Sequence, residues 1–192
     1  MSESLRLYTS ILFGFEFAVR SMPESEWDQP SACDSWTRRE VAGHAMSVVN
    51  NIAARGGVGT AVDAFTGIAD FAGPKPYDTF RRCRDRYLLA TDHEGALQTM
   101  IKSRLGEMTL DTYIGKMCID TLVHTWDVAH GSGVDDTLDP DAVHAIWSQV
   151  SGAASEGTDL VRGPGFFDPE LPPAGANESD MLLAFTGRSN SR

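Results

Sequence analysis

The run Cys118-Ile-Asp120-Thr-Leu-Val-His124-Thr-Trp126-Asp127 sets a carboxylate and an imidazole four residues apart in an otherwise apolar helical stretch. Positions i and i+4 lie one turn apart on the same helix face, so both heads can reach one small object. A metal ion is the natural candidate. His44 lies in another helical stretch, inside an apolar stripe of Val41, Ala45, Val48, Val49 and Ile52. It reads either as a neutral core imidazole with one hydrogen-bond partner or as a third ligand. Asp120 favours the second reading, because a carboxylate beside Leu122, Val123 and Trp126 is costly to desolvate without a compensating charge. A His/Asp/His set on facing helices suits zinc with an open fourth position, and it also accepts iron, nickel or manganese.

Asp127 follows His124 by three residues and could orient an imidazole through its second ring nitrogen. Its other reading is a solvent-facing acid or an arginine partner. His130 falls at a helix end beside Gly131, where a protonated imidazole suits the last carbonyls. His93 and His144 read as surface residues, and Trp36, Trp126 and Trp147 as core. The sequence has no Gly-x-Ser-x-Gly elbow and no cysteine with an evident base, which argues against a nucleophilic triad. Cys33, Cys83 and Cys118 are odd in number and widely spaced. They are expected to be small buried hydrophobes rather than a disulfide framework or a thiolate zinc site.

The elements that must position these residues are helical. Apolar side chains at 5, 8, 12, 15 and 19 predict a helix over 3–21, stopped by Met22-Pro23. Thr37-Arg-Arg-Glu40 fits a capping box that opens the helix carrying His44. The glycine-rich stretch from Gly56 to Pro76 predicts a loop or irregular helix. A third helix is expected over about 78–91, with Arg81, Arg82, Arg84 and Arg86 on its wet side. Residues 96–108 alternate briefly and predict an extended excursion or short strand. The helix carrying Asp120 and His124 is expected from about Leu110 to His130, capped by Gly131-Ser-Gly133. Asp139-Pro140 opens a fifth helix. Residues 155–178 predict coil, and Asp180–Phe185 a last short helix.

The chain has 192 residues, 42% of them apolar and 22% charged, which suits one domain over residues 1–192. Its 27 acids against 16 bases give a formal charge of −11, unsuited to duplex nucleic acid or an anionic membrane. No apolar run approaches the roughly 18–20 residues a bilayer needs, and the first residues lack a secretory signal, so a cytoplasmic location is expected. The pattern predicts an all-α bundle and no sizeable sheet.

Pro30-Ser-Ala-Cys33-Asp-Ser-Trp36-Thr-Arg-Arg-Glu-Val-Ala-Gly-His44 resembles the entry to the second helix in the mycothiol-dependent maleylpyruvate isomerase-like family, within the DinB/YfiT-like metal-binding bundles. The stretch from Asp120 to Gly133 is similar to that family's second signature. Met181-Leu-Leu-Ala-Phe-Thr-Gly187-Arg188 is similar to the closing motif of its single-domain branch. The resemblance implies a DinB/YfiT-like four-helix bundle with extra short helices and long loops. It implies one divalent metal, usually zinc, on His44, Asp120 and His124, with Asp in place of the family's commoner Glu. It further implies a small-molecule substrate and a low-molecular-weight thiol such as mycothiol. The expected activity is a transferase or isomerase acting on a small electrophile, with loops 56–76 and 155–178 as pocket walls. A metal-dependent hydrolase and a non-catalytic binding protein are the alternatives, and a homodimer is possible. The isomerase-type members carry an additional C-terminal domain that is not expected in these 192 residues, so isomerisation of maleylpyruvate itself is not implied.

Overall fold

In the computed structural model, residues 1–34, 36–155 and 167–190 are described. They divide into two compact units, Met1–Asp136 and Thr137–Arg192. The first contains α1 (Glu3–Ser21), α2 (Arg38–Arg55), α3 (Ile68–Ala72), α4 (Pro76–Thr91), the strands β1 (Met100–Ser103) and β2 (Gly106–Thr109), and α5 (Leu110–Ala129). The second contains α6 (Pro140–Ser155) and α7 (Glu178–Phe185), packed on each other. The fold is predominantly helical, and the one sheet among the described residues is the antiparallel β1–β2 hairpin, in register Met100 with Thr109.

Four helices of the first unit close a ring of contacts: α1 on α5, α5 on α2, α2 on α4 and α4 on α1. Their inward residues are large and fully buried, including Tyr8, Phe15, Ile52, Phe80, Tyr87 and Ile114. Tyr8 meets Tyr87, and Phe15 meets Phe80, edge to face with centroids 5.5 and 5.3 Å apart. That arrangement suits the aromatic quadrupole and ties α1 to α4. The Tyr8 hydroxyl also lies 3.1 Å from Thr121 Oγ1, fixing α5 one residue from Asp120.

α2 begins where its capping box predicts. Thr37 Oγ1 accepts from the Glu40 amide at 3.3 Å, and Glu40 Oε2 accepts from the Thr37 amide at 2.8 Å. α1 spans the expected 3–21 and stops at Met22, whose extended backbone leads into Pro23. α4 starts two residues ahead of expectation because Pro76 occupies its first turn, where a missing amide hydrogen costs nothing. α5 ends at Ala129, and Gly131 turns the chain with a left-handed φ of 71°. α3 lies within the predicted glycine-rich loop. It packs so closely on α2 that a Cβ on Gly43 would come 1.9 Å from the Ile68 carbonyl oxygen. No helix among the described residues is long and apolar enough to cross a membrane. Of the coil expected over 155–178, residues 156–166 lie outside the described residues.

Candidate metal centre

α2 and α5 pack against each other and bring His44, Asp120 and His124 together. One ligand atom from each lies within 4.8 Å of the others. His44 Nε2 is 3.4 Å from Asp120 Oδ1, and His124 Nε2 is 3.8 Å from the same oxygen. The two imidazoles face each other edge on, with centroids 4.9 Å apart. Both are nearly sealed from solvent. Asp120 is the open member, its side chain 24% exposed.

The far side of each ring fixes what points inward. His44 Nδ1 is 2.6 Å from the Ala64 carbonyl oxygen, which can only accept, so this nitrogen carries the proton. His124 Nδ1 is 2.8 Å from Oδ2 of Asp127, a carboxylate with no exposed surface. It donates there. In the neutral rings both Nε2 lone pairs therefore converge with Asp120 Oδ1, three acceptors around one point with no donor among them. Such a set calls for a cation. The proton is the simplest, and the His44 pKa responds accordingly. Burial disfavours the imidazolium, but attraction and hydrogen bonding from Asp120, with the Ala64 carbonyl, outweigh it and raise the pKa above the ordinary 6.5. A divalent metal satisfies all three acceptors at once, so the donor set fits one.

The backbone around the centre is held by α2 itself. Thr60, Val62 and Ala64 present carbonyls to α2 at every second residue, as an extended segment does. Asn50 Nδ2 donates to Thr60 O at 2.9 Å, and Asn51 Nδ2 to Val62 O at 2.9 Å. Asn51 Oδ1 accepts from the Val62 amide at 2.8 Å, and His44 takes Ala64. Phe65 follows and lies 5.3 Å from the His44 ring, and the Arg104 guanidinium lies over the Phe65 ring, 5.1 Å from its centroid. Trp36 lies 5.1 Å from His44 and 6.2 Å from His124. Two aromatic rings thus shield the histidines.

The turn before α2 supplies a residue that sequence reasoning assigned elsewhere. The Ala32 amide reaches the Asp127 carbonyl at 3.4 Å, and Ser31 pins the turn through Cys33 O and Trp36 O. Cys33 is consequently half-buried, its sulfur within 4.8 Å of ligand atoms of His124 and Asp127. The expectation that no cysteine has a base nearby is corrected here. The signal was present in the tight Pro30–Trp36 turn directly ahead of the capping box. Cys83 and Cys118 are buried as expected, and burial pushes their thiols up to about 11 and about 12.

The remaining histidines stand apart from the cluster. His130 stacks on Trp126 at 4.1 Å and pairs with Asp136 at 2.7 Å, while its carbonyl accepts from Arg38 at 3.0 Å. His93 and His144 are exposed. Near the other end of the α2–α5 seam, Arg55 lies over the Tyr113 ring at 4.7 Å. Burial raises the Tyr113 pKa, with Arg55 lowering it and Asp120 raising it, so both charges reach this phenol.

The fold and the cluster define a DinB-like helical protein with a His/Asp/His set between two facing helices. The chain belongs to the family described as Mycothiol maleylpyruvate isomerase N-terminal domain, whose model matches residues 15–129. Two curated relatives, uncharacterized proteins from two strains of Mycobacterium tuberculosis, are 34% identical over 97 residues. The match covers 50% of this chain and 52% of each relative, so the chain spans about half the length of the curated relatives it matches. Two crystal structures of the mycothiol-dependent maleylpyruvate isomerase, one of them a mutant, superpose with a TM-score of 0.58. They are 14% identical in sequence, with 81% of this chain and 71% of theirs covered, which establishes the shared fold.

Proposed function

We propose that this protein binds one divalent metal through His44, Asp120 and His124 and uses a low-molecular-weight thiol to act on a small electrophile, as a transferase or isomerase. The observation that carries the reading is the convergence of two imidazole lone pairs and a carboxylate oxygen whose histidine partners, Ala64 and Asp127, fix both rings. Zinc suits the set best, and nickel, iron and manganese are the other cations it accommodates. A metal held there supplies ionisation of a thiol near neutral pH. Family membership and the fold of the mycothiol-dependent enzyme support a thiol such as mycothiol as the co-substrate.

The chain's own residues account for the rest of the proposed site. Asp127 holds His124 in the tautomer that presents Nε2, and the Ala64 carbonyl does the same for His44. Trp36 and Phe65 keep bulk water from the rings, strengthening electrostatic interactions there. Asp120, the most exposed member, marks the side from which thiol and substrate enter.

Elemental analysis of the purified protein, alongside His44→Ala and Asp120→Ala, tests the metal. About one equivalent in the parent protein and loss in both variants is expected. Turnover of an electrophile by the metal-loaded protein should require added thiol. Undiminished metal in His44→Ala would overturn the ligand set, and equal turnover without thiol would point to hydrolysis instead.

A further inference from the structure

The apolar side chains of α1 fall into two sets. Tyr8, Leu12, Phe15 and Val19 are buried in the bundle, as their helical spacing requires. Phe13 and Phe17 lie outside that stripe, one turn apart, and are 68% and 55% exposed. The neighbouring helix repeats the pattern, with Leu88 and Leu89 of α4 46% and 65% exposed. Arg84 of α4 bonds Glu16 of α1 at 2.7 Å, and the hydroxyls of Tyr87 and Thr9 lie 3.4 Å apart, so the two helices run antiparallel. Leu88, one turn beyond Arg84, therefore comes about level with Phe13, and the four side chains form one apolar strip across the α1–α4 edge. Scattered apolar residues on a surface are ordinary, but a contiguous strip calls for a cover.

The charges at the ends of α1 say which cover fits. Glu3 stands exposed in the first turn and Arg20 exposed in the last, each suited to the helix dipole. Neither joins an ion pair among the described residues. A second copy of α1 laid antiparallel opposes both the dipole and the charges, setting Arg20 of each copy against Glu3 of the other. The same register brings Arg6 over Phe17 of the other copy, a cation–π contact, and Phe13 over the small side chain of Ser10. Gly14 lies on this exposed side, and a Cβ there would meet only Thr125 Cγ2 at an ordinary 3.9 Å. Packing inside the chain does not ask for glycine at that position, whereas close approach of another helix does.

The size of the face agrees. Nineteen residues of α1 extend about 28 Å, and two helices side by side are about 20 Å wide. Pairing the edge with its own copy would cover about 560 Å² on each, or about 1,100 Å² in all, at the lower limit of a specific interface. In the ring of helix contacts the α1–α4 edge is opposite the α2–α5 seam, so such pairing leaves the candidate metal centre free.

We propose that the α1–α4 edge is the self-association surface of this protein, through which two copies pair about a twofold axis with their α1 helices antiparallel. Each contact then occurs twice, and each substitution is felt twice.

The test is sedimentation equilibrium of the full chain, with chelator present so that no metal bridges the copies. A mass of twice 20.9 kDa is expected at about 100 μM chain. Phe13→Glu should weaken pairing at least about 100-fold, tenfold for each copy. Glu3→Arg and Arg20→Glu should each weaken it about three- to tenfold, and the two exchanges together should restore it. Melting temperatures establish that each variant is folded, and the exposed charge exchanges carry the test if Phe13→Glu is not. A monomeric parent would overturn the proposal, including one whose phenylalanines instead take up phosphatidylcholine vesicles. A dimer that survives Phe13→Glu in folded protein places the contact elsewhere and would overturn it too. Single charge exchanges without effect, or a double exchange that fails to recover their loss, would overturn the antiparallel pairing.

Discussion

The bond between His124 and Asp127 can be removed with little change of shape, which makes Asp127→Asn the sharpest probe of the centre. Asp127 has no exposed surface, and the His124 side chain is only 6% exposed. Their 2.8 Å hydrogen bond is therefore shielded from water and charge-assisted. An asparagine oxygen can still accept from Nδ1, but the negative charge that makes the imidazole a stronger donor is gone. If the amide turns its nitrogen toward the ring, Nδ1 must accept, and the proton moves to Nε2, into the space a metal would need. Either outcome weakens the metal. Loss of such a supporting partner costs about 10–100-fold in affinity, or about 1.4–2.7 kcal/mol. The assay is zinc titration against a chelating dye, with urea unfolding of the metal-free protein as a fold control. Asp136→Asn is the internal reference, since Asp136 pairs with His130 at a similar 2.7 Å but outside the cluster. Zinc affinity within about twofold of the parent in Asp127→Asn, or an equal loss in Asp136→Asn, would refute the tautomer argument.

Gly43→Ala forces a Cβ to within 1.9 Å of the Ile68 carbonyl oxygen, so α3 must shift away from α2. A loss of about 1–3 kcal/mol in denaturant unfolding is expected. With burial holding the Cys83 and Cys118 thiols at about 11 and about 12, iodoacetamide at neutral pH should label only Cys33 in the folded protein and all three cysteines in urea, read by mass spectrometry. The same raised thiols add stability below the ordinary thiol value of 9.0 that is lost as pH climbs toward their folded values. Cys83→Ala should therefore flatten the fall in alkaline stability. His44 has the corresponding sign: its contribution to the metal-free protein is complete below 6.5 and lost as pH rises through its raised folded pKa. Zinc competes with that proton, so the zinc-induced rise in melting temperature should be small in acid and grow above neutrality.

What the sequence revealed and what it concealed follow from how far each interaction reaches along the chain. The capping box at Thr37 and Glu40, the stop at Met22-Pro23 and the glycine turn after α5 were legible because each is decided within a few residues. The i, i+4 spacing likewise puts Asp120 and His124 on one face without reference to the rest of the fold. α3 was legible only as part of a loop or irregular helix, because five residues between glycines with left-handed φ values of 66° and 69° have too little length for a period to show. The hairpin at 100–109 registered only as brief alternation, since its pairing spans two four-residue strands. Cys33 was misread because its neighbours are set by a turn folding back onto α5, a contact across almost a hundred residues.

The polar residues of α2 carry the remaining lesson. His44, Asn50, Asn51 and Arg55 interrupt an apolar face, and in sequence each reads as an isolated exception. In the fold, three of them take the carbonyls of Ala64, Thr60 and Val62, laying one extended segment along the helix. The asparagines anchor the segment whose last carbonyl sets the tautomer of His44. The direction of the His44 lone pair therefore depends on bonds made two turns further along α2, through a backbone oxygen that has no residue type of its own. A change at Asn51 should reach the centre by this route, although its side chain meets none of the three acceptors.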